Sequence, residues 1–235
     1  MSLRAKVVAS IAVASSAFLL APAAAQAATH PVQVTGAKLK SALLPASTFG
    51  SGFKLVEATG SGKTLWHQKA TKHVPTMSCA NFEIQGLTRY GESAVAASAI
   101  LNSGTTEITS LSNLNLLYEQ TVYQFPSTKA AATFYNQAHA KYAACKSFSE
   151  KVTGNPDDDL TITLKSIAKT KVGTHQAFKL GQSVGGITGD TPLKFETLVT
   201  VAGTDVFVVV DFTTANHPIA AKTMLKLVDR VKALR

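Results

Sequence analysis

Four strand-like segments in the C-terminal third of the chain restrict its fold more than any other feature. The first alternates apolar and polar residues, as a half-buried strand does, and the last is apolar enough for the centre of a sheet. A Gly-containing turn over residues 202–205 joins the last two segments as a hairpin, which predicts antiparallel pairing. The four segments are residues 160–164, 175–180, 193–201 and 206–212.

Helical patterns accompany these strands. A helix is predicted over 129–145, capped by Ser127 or Thr128, because its apolar residues recur at helical spacing. Leu39, Leu43 and Leu44 indicate a short helix that ends near Pro45. A last helix begins near Pro218 and carries an apolar stripe formed by Ala220, Met224, Leu227, Val228, Val231 and Leu234.

The remaining segments complete the predicted fold class. Residues 93–101 and 114–125 are predicted as strands, and the Gly- and Ser-rich residues 49–64 as loop. No linker divides the chain after its N-terminus. We therefore expect one α+β domain, an antiparallel sheet of about six strands with helices packed around it.

The N-terminus has the pattern of an export signal. Arg4 and Lys6 precede an apolar run over 7–20, and Ala25 and Ala27 fit a small-residue cleavage site. We expect a signal peptide over 1–27 cleaved after Ala27, a flexible lead over 28–37 and a domain over 38–235. The apolar run is shorter than the roughly 20 residues of a membrane span. No later segment is long and apolar enough, so secretion without a transmembrane segment is predicted.

The predicted export determines the redox state expected for the two cysteines. Cys79 and Cys145 are the only cysteines of the sequence, and export would place them in an oxidising compartment. Two cysteines in a secreted chain most simply pair with each other. Such a bridge would stabilise the fold by roughly 4 kcal/mol in the chain-entropy model.

Positive charge is concentrated near the two ends of the chain. The formal net charge is +9, and Lys222, Lys226 and Arg230 recur at a spacing that forms one stripe on a helix. Such a stripe is a candidate contact for an anionic surface polymer, although most stripes of this kind are solvated helix faces. The basic segments contain few aromatic residues for base stacking, so no nucleic-acid partner is expected.

A Gly-x-Ser-x-Gly pattern at Gly181 to Gly185 raises the alternative of a serine hydrolase. In such enzymes the serine occupies a sharp strand-to-helix turn, with an acid and a histidine later in the chain. Ser183 would then act with Asp190 or Asp211 and with His175 or His217. The Gly-rich residues after Gly185 are unsuited to begin a helix, so no catalytic residue is predicted and Ser183 is kept as the alternative.

Metal and cofactor sites have weaker support. The six histidines form no metal-binding spacing, so no metal is predicted. Gly60 to Thr64 looks like the end of a phosphate-binding loop, but position 57 is Glu where that pattern needs Gly, so no cofactor is predicted. Four aromatic residues are candidates to line a groove, although such residues more often lie in the core: Trp66, Tyr90, Tyr118 and Tyr123.

The arrangement as a whole resembles a known family. Leu43-Leu44-Pro45, the Gly-Ser-Gly-Phe turn at Gly50 to Phe53, Cys79 and a helix that ends in Ala-Cys-Lys-Ser-Phe follow one another as in the PknH-like extracellular sensor domains. The resemblance covers about residues 38–235. It implies a twisted antiparallel sheet, a ligand-receiving cleft and no catalytic residues, and it carries over one cysteine pair, Cys79 with Cys145.

These observations favour a secreted, non-catalytic binding module. Its ligand would be a small molecule or a cell-envelope component, and the sequence assigns no ligand-binding residues. The alternatives are the serine hydrolase with Ser183 and an electrostatic binder of anionic cell-wall polymer. Because this chain contains no kinase portion, the resemblance does not by itself imply signalling.

Overall fold

A computed structural model describes residues 33–60, 95–103, 117–145, 147–150, 160–185, 192–212 and 221–235. Within them lie three α-helices, one short 3-10 helix and eight strands. The helices are α1 (Gly36–Ala42), α2 (Thr128–Ala144) and α3 (Ala221–Lys232), with the 3-10 helix at Ala46–Thr48. The strands are β1 (Lys54–Gly60), β2 (Val95–Asn102), β3 (Leu117–Gln124), β4 (Ser147–Glu150), β5 (Leu160–Val172), β6 (His175–Gly185), β7 (Leu193–Ala202) and β8 (Asp205–Asp211).

All eight strands form one antiparallel sheet in the order β1-β2-β3-β8-β7-β6-β5-β4. The expected α+β class and antiparallel pairing are confirmed, but the expected number of about six strands is too low. The two additional strands, β1 and β4, lie at opposite edges of the sheet. β1 occupies part of the segment assigned to loop from its Gly and Ser content, and β4 has only four residues.

The first three strands and the last five strands form two consecutive antiparallel groups, which meet inside the sheet. β3 pairs directly with β8, and a helix follows each of them in the sequence. The hairpin between β7 and β8 has the predicted turn, with Gly203 at φ 62°, a value that favours glycine. Residues of β3 and β8 belong to two separate hydrophobic cores, one on each face of the sheet.

One core lies between the sheet and α2. Ser127 begins this helix, since its side chain accepts a hydrogen bond from the Ala130 N–H. The helix packs its apolar face on β3, β6, β7 and β8, and Phe134 and Phe178 are among the fully buried side chains there. This face of the sheet is called the α2 face below.

The opposite face carries α1 and α3. The predicted stripe of α3 is confirmed for Met224, Leu227, Val228 and Val231, which are fully buried against residues of both helices and the central strands. Arg230 joins the two helices, because its guanidinium donates to the carbonyls of Ala42 and Ser41. This face is called the α3 face below.

Two buried glutamines of β3 hold the N-terminal segment on the α3 face. Gln120 accepts from the Leu44 N–H at 2.9 Å and donates to the Leu44 carbonyl at 2.8 Å. Gln124 accepts from the Val34 N–H at 2.6 Å. The lead predicted over 28–37 lies only partly within the described residues, and its described end is anchored at Val34.

In the described part of the chain, no helix has the length and the apolar character needed to cross a bilayer. The expected signal peptide over 1–27 lies outside the described residues.

Candidate functional site

One row of cross-strand neighbours crosses seven of the eight strands. Direct partners in antiparallel strands present their side chains on the same face of the sheet. This row, called the central row, lies at the end of the α3 face where β8 ends. From β1 to β5 it consists of Leu55, Leu101, Tyr118, Asp211, Glu196, Gly181 and Ser166.

Two acids face each other in the middle of the row. Glu196 of β7 and Asp211 of β8 are direct partners, which places their Cβ atoms roughly 4.5–5.5 Å apart. Asp211 is fully buried, whereas the Glu196 side chain is 25% exposed. Like charges directly opposite each other destabilise a sheet, so a pair of this kind needs compensating partners.

Only one of the two Glu196 oxygens has a partner among the described residues. Lys179 Nζ lies 2.8 Å from Glu196 Oε1, in a partly exposed ion pair. Glu196 Oε2 is buried and accepts no hydrogen bond within the described part of the chain. A buried acceptor without a donor costs about 1–3 kcal/mol and therefore calls for an explanation.

Aromatic side chains continue the row on the other side of the acids. The Tyr118 ring lies 4.7 Å from the Phe49 ring and 5.1 Å from the Phe53 ring. Both phenylalanines are half-buried, and Leu55 beyond them is 54% exposed. An apolar, accessible surface thus adjoins this pair of acids.

The Gly-Ser-Gly-Phe turn at Gly50 to Phe53 positions Phe53. Gly50 and Gly52 have φ values of 137° and 91°, which side-chain-bearing residues rarely adopt. A Cβ atom at Gly50 would make an ordinary contact of 3.6 Å with the Phe53 ring, so the φ value and not the space favours glycine there. The turn therefore places Phe53 against Tyr118, which is the direct cross-strand partner of Asp211.

The Gly-x-Ser-x-Gly pattern lies within a regular strand. Gly181 to Gly185 form the second half of β6, so Ser183 does not occupy a sharp strand-to-helix turn. Its cross-strand partners are Thr163 and Lys194, and it is buried. His175 lies at the other end of the same strand, roughly 26 Å away at the rise of an extended chain.

The other residues of the hydrolase alternative do not complete a triad either. Asp211 lies two strands away from Ser183, on β8, and is a direct partner of Tyr118 and Glu196. Asp190 and His217 lie outside the described residues. The described geometry therefore offers no nucleophile elbow, and it does not bring Ser183 and His175 together.

The remaining predicted site residues have different locations. Cys145 is fully buried at the end of α2 and is not a free cysteine, while Cys79 lies outside the described residues. The pairing of the two stays a prediction. Of the four aromatic groove candidates, Tyr118 is in the central row, whereas Tyr123 packs beneath α2 against Phe134. Trp66 and Tyr90 lie outside the described residues.

The charged and metal-ligating groups that the structure describes form no second centre. Lys222 and Lys226 are exposed on α3, but Arg230 is engaged with the end of α1, which interrupts the predicted basic stripe. Across the described ranges, no group of three or more His, Cys, Asp or Glu residues is placed to hold a metal ion.

Sequence reasoning missed the pairing of Glu196 with Asp211, although a signal for it exists. The predicted turn at 202–205 fixes the register of the hairpin, and counting back from that turn places these two residues opposite each other. The contact of Tyr118 with Asp211 depends on the long-range pairing of β3 with β8 and has no such local signal.

Comparisons with known proteins agree with this architecture. The family model described as "PknH-like extracellular domain" matches residues 34–230. The crystal structure of the extracellular domain of PknH from Mycobacterium tuberculosis is similar, with a TM-score of 0.59 and 14% sequence identity, covering 86% of this chain and 98% of that chain. No curated protein sequence matches. Since the family model spans most of the sequence, the chain belongs to the PknH-like extracellular domain family.

Proposed function

We propose that this chain is an exported, non-catalytic binding module and that the central row contacts its ligand. The observation that carries this proposal is the buried Glu196 Oε2, which lacks a donor within the described residues, beside the fully buried Asp211. A ligand that brings a hydrogen-bond donor to this oxygen would remove the cost of leaving it unsatisfied. Membership in an extracellular domain family supports the same reading.

The row also indicates the chemistry of the ligand. Ligand sites combine apolar walls with a few polar groups that fix orientation. Here Phe49, Phe53 and Leu55 supply a partly exposed apolar surface, and the acids supply acceptors. We therefore propose an amphipathic ligand with an amine or hydroxyl group next to an apolar part, either a small molecule or a cell-envelope component.

The test uses 2-phenylethylamine as a probe and 2-phenylethanol as its neutral analogue, with binding followed by ligand-observed NMR. Glu196→Gln keeps the size of the side chain but places an amide where the ligand meets a carboxylate. We expect it to weaken binding of the amine about tenfold, because hydrogen bonds to charged groups contribute about 1.5–3 kcal/mol. The neutral analogue should be affected less.

Lys179→Met is the matched control. It removes the partner of Glu196 Oε1 but leaves the carboxylate, so amine binding should be retained or strengthened. Binding that is equal in wild type and Glu196→Gln, or absent for both probes, would contradict the assignment of the central row. Circular dichroism verifies that each variant is folded.

Export belongs to the same proposal. We propose that residues 1–27 are removed after Ala27 and that Cys79 bonds to Cys145 in the exported chain. The intact mass of protein purified from culture supernatant tests the cleavage site directly. A mass that still includes residues 1–27 would contradict it.

A further inference from the structure

Among the described residues, the outer edge of β5 is open over its C-terminal half. β5 pairs with β6 along nearly its whole length, but β4 covers its other side only from Leu160 to Thr163. A bulge at Lys165 separates this covered part from the remaining residues. Residues 166–172, called the open edge, have no strand partner on that side within the described part of the chain.

The open edge is long enough for strand addition. Its seven residues span roughly 23 Å at the rise of a β-strand. All of them except Ile167 and Val172 are exposed. An extended peptide can add to such an edge, because the unpaired N–H and C=O groups supply main-chain hydrogen bonds.

The charge of the open edge limits what can pair with it. Lys169 and Lys171 project on the α2 face, since their β6 partners are Phe178 and Gln176 and Phe178 packs beneath α2. Both lysines are exposed, and neither has an ion pair or side-chain hydrogen bond within the described residues. Residues 166–172 contain no acid.

This charge disfavours a second copy of the chain as the occupant. Two open edges that pair with each other would bring lysines against lysines, and like charges across strands are destabilising. An acidic segment would instead place carboxylates beside Lys169 and Lys171. On the α3 face, Ser166, Ala168 and Thr170 are small and exposed, so they leave room for varied side chains.

We infer that the open edge of β5 is an interaction surface that accepts an extended, acidic segment of another polypeptide by strand addition. The open edge and the central row share only Ser166, and both lysines lie outside the central row. The inference therefore does not depend on the proposed ligand. Main-chain pairing supplies the affinity, and the two lysines select acidic residues at alternate positions.

The test measures fluorescence anisotropy of a labelled twelve-residue peptide in which Glu alternates with Val or Thr, at 150 mM NaCl. The double variant Lys169→Glu/Lys171→Glu should weaken binding about tenfold, because two attractive pairs become repulsive. The matched control Lys222→Glu/Lys226→Glu makes the same change of charge on α3 and should change affinity less than about twofold. If the first variant does not fold, Lys169→Gln/Lys171→Gln replaces it.

A second peptide, N-methylated at alternate amides, separates strand addition from plain charge attraction. It should not bind, and hydrogen exchange should show protection of residues 166–172 only with the unmodified peptide. The inference fails if the unmodified peptide does not bind at millimolar concentration, if both peptides bind equally, or if the α3 variant weakens binding as much as the β5 variant. A concentration-dependent dimer that the β5 variant abolishes would also overturn it in favour of a second copy.

Discussion

At the residue scale, the Asp205 carboxylate has Arg235 as its ion-pair partner. This fully buried carboxylate accepts from Arg235 at 2.6 and 2.7 Å and from Gln124 at 3.1 Å. Burial raises the pKa of Asp205, and Arg235 is the largest of the influences that lower it. We predict that Arg235→Met destabilises the protein by about 2 kcal/mol, because it leaves a buried charge without its counter-ion. Urea unfolding measures the loss.

The sign of the pH dependence follows from the direction of the pKa. A carboxyl with a raised pKa in the folded state binds its proton more tightly there, so its contribution to stability decreases as pH rises through that pKa. Without Arg235 the pKa should rise further. The loss in Arg235→Met should therefore be larger at pH 7.5 than at pH 4, and an equal loss at both values would contradict this account. Lys222→Met, which removes an exposed lysine at the start of α3, is the control.

At the element scale, α2 depends on its first hydrogen-bonded turn. Ser127 Oγ accepts from the Ala130 N–H at 3.1 Å, which satisfies one of the free donors at the helix start. Ser127→Ala should cost about 1 kcal/mol of unfolding free energy. Thr128→Ala changes the exposed neighbouring residue and should cost only a few tenths of that. Similar losses in the two variants, measured by thermal unfolding, would show that the cap has no special role.

The elements that sequence reasoning identified are those with strong internal patterns. α2, α3 and the strands around the predicted hairpin each bury a regular stripe of apolar residues, so periodicity identifies them. β1 was harder to identify because glycines precede it and because, among the described strands, it has a neighbour on one side only.

Gly181 was misleading for a different reason. This glycine allows close packing of β6 against β5 and does not form a turn, since a Cβ there would lie 2.6 Å from Ser166 Oγ. The central row could be predicted only in part. Its β7–β8 part follows from a local turn, but its contact with β3 arises only when distant strands assemble.

At the scale of the whole molecule, the sheet consists of two meanders, β1–β3 and β4–β8, which meet where β3 pairs with β8. The first meander and the second are each closed by a helix, and the helices cover opposite faces of the sheet. The link between the meanders runs through α2 and Cys145, which is buried where the helix ends. A covalent bond at this point would restrict the chain between β1 and β2 relative to the second meander.

We predict that a Cys79–Cys145 disulfide stabilises the exported protein. The bridge would close a loop of about 67 residues, which corresponds to roughly 4 kcal/mol in the chain-entropy model. A reducing agent should therefore lower the unfolding free energy of the wild type by an amount of this order. In the Cys79→Ala/Cys145→Ala variant, which serves as the control, the same agent should have no effect. Thiol titration of the denatured, unreduced protein distinguishes the outcomes, since two reactive thiols would contradict the bridge and none would support it.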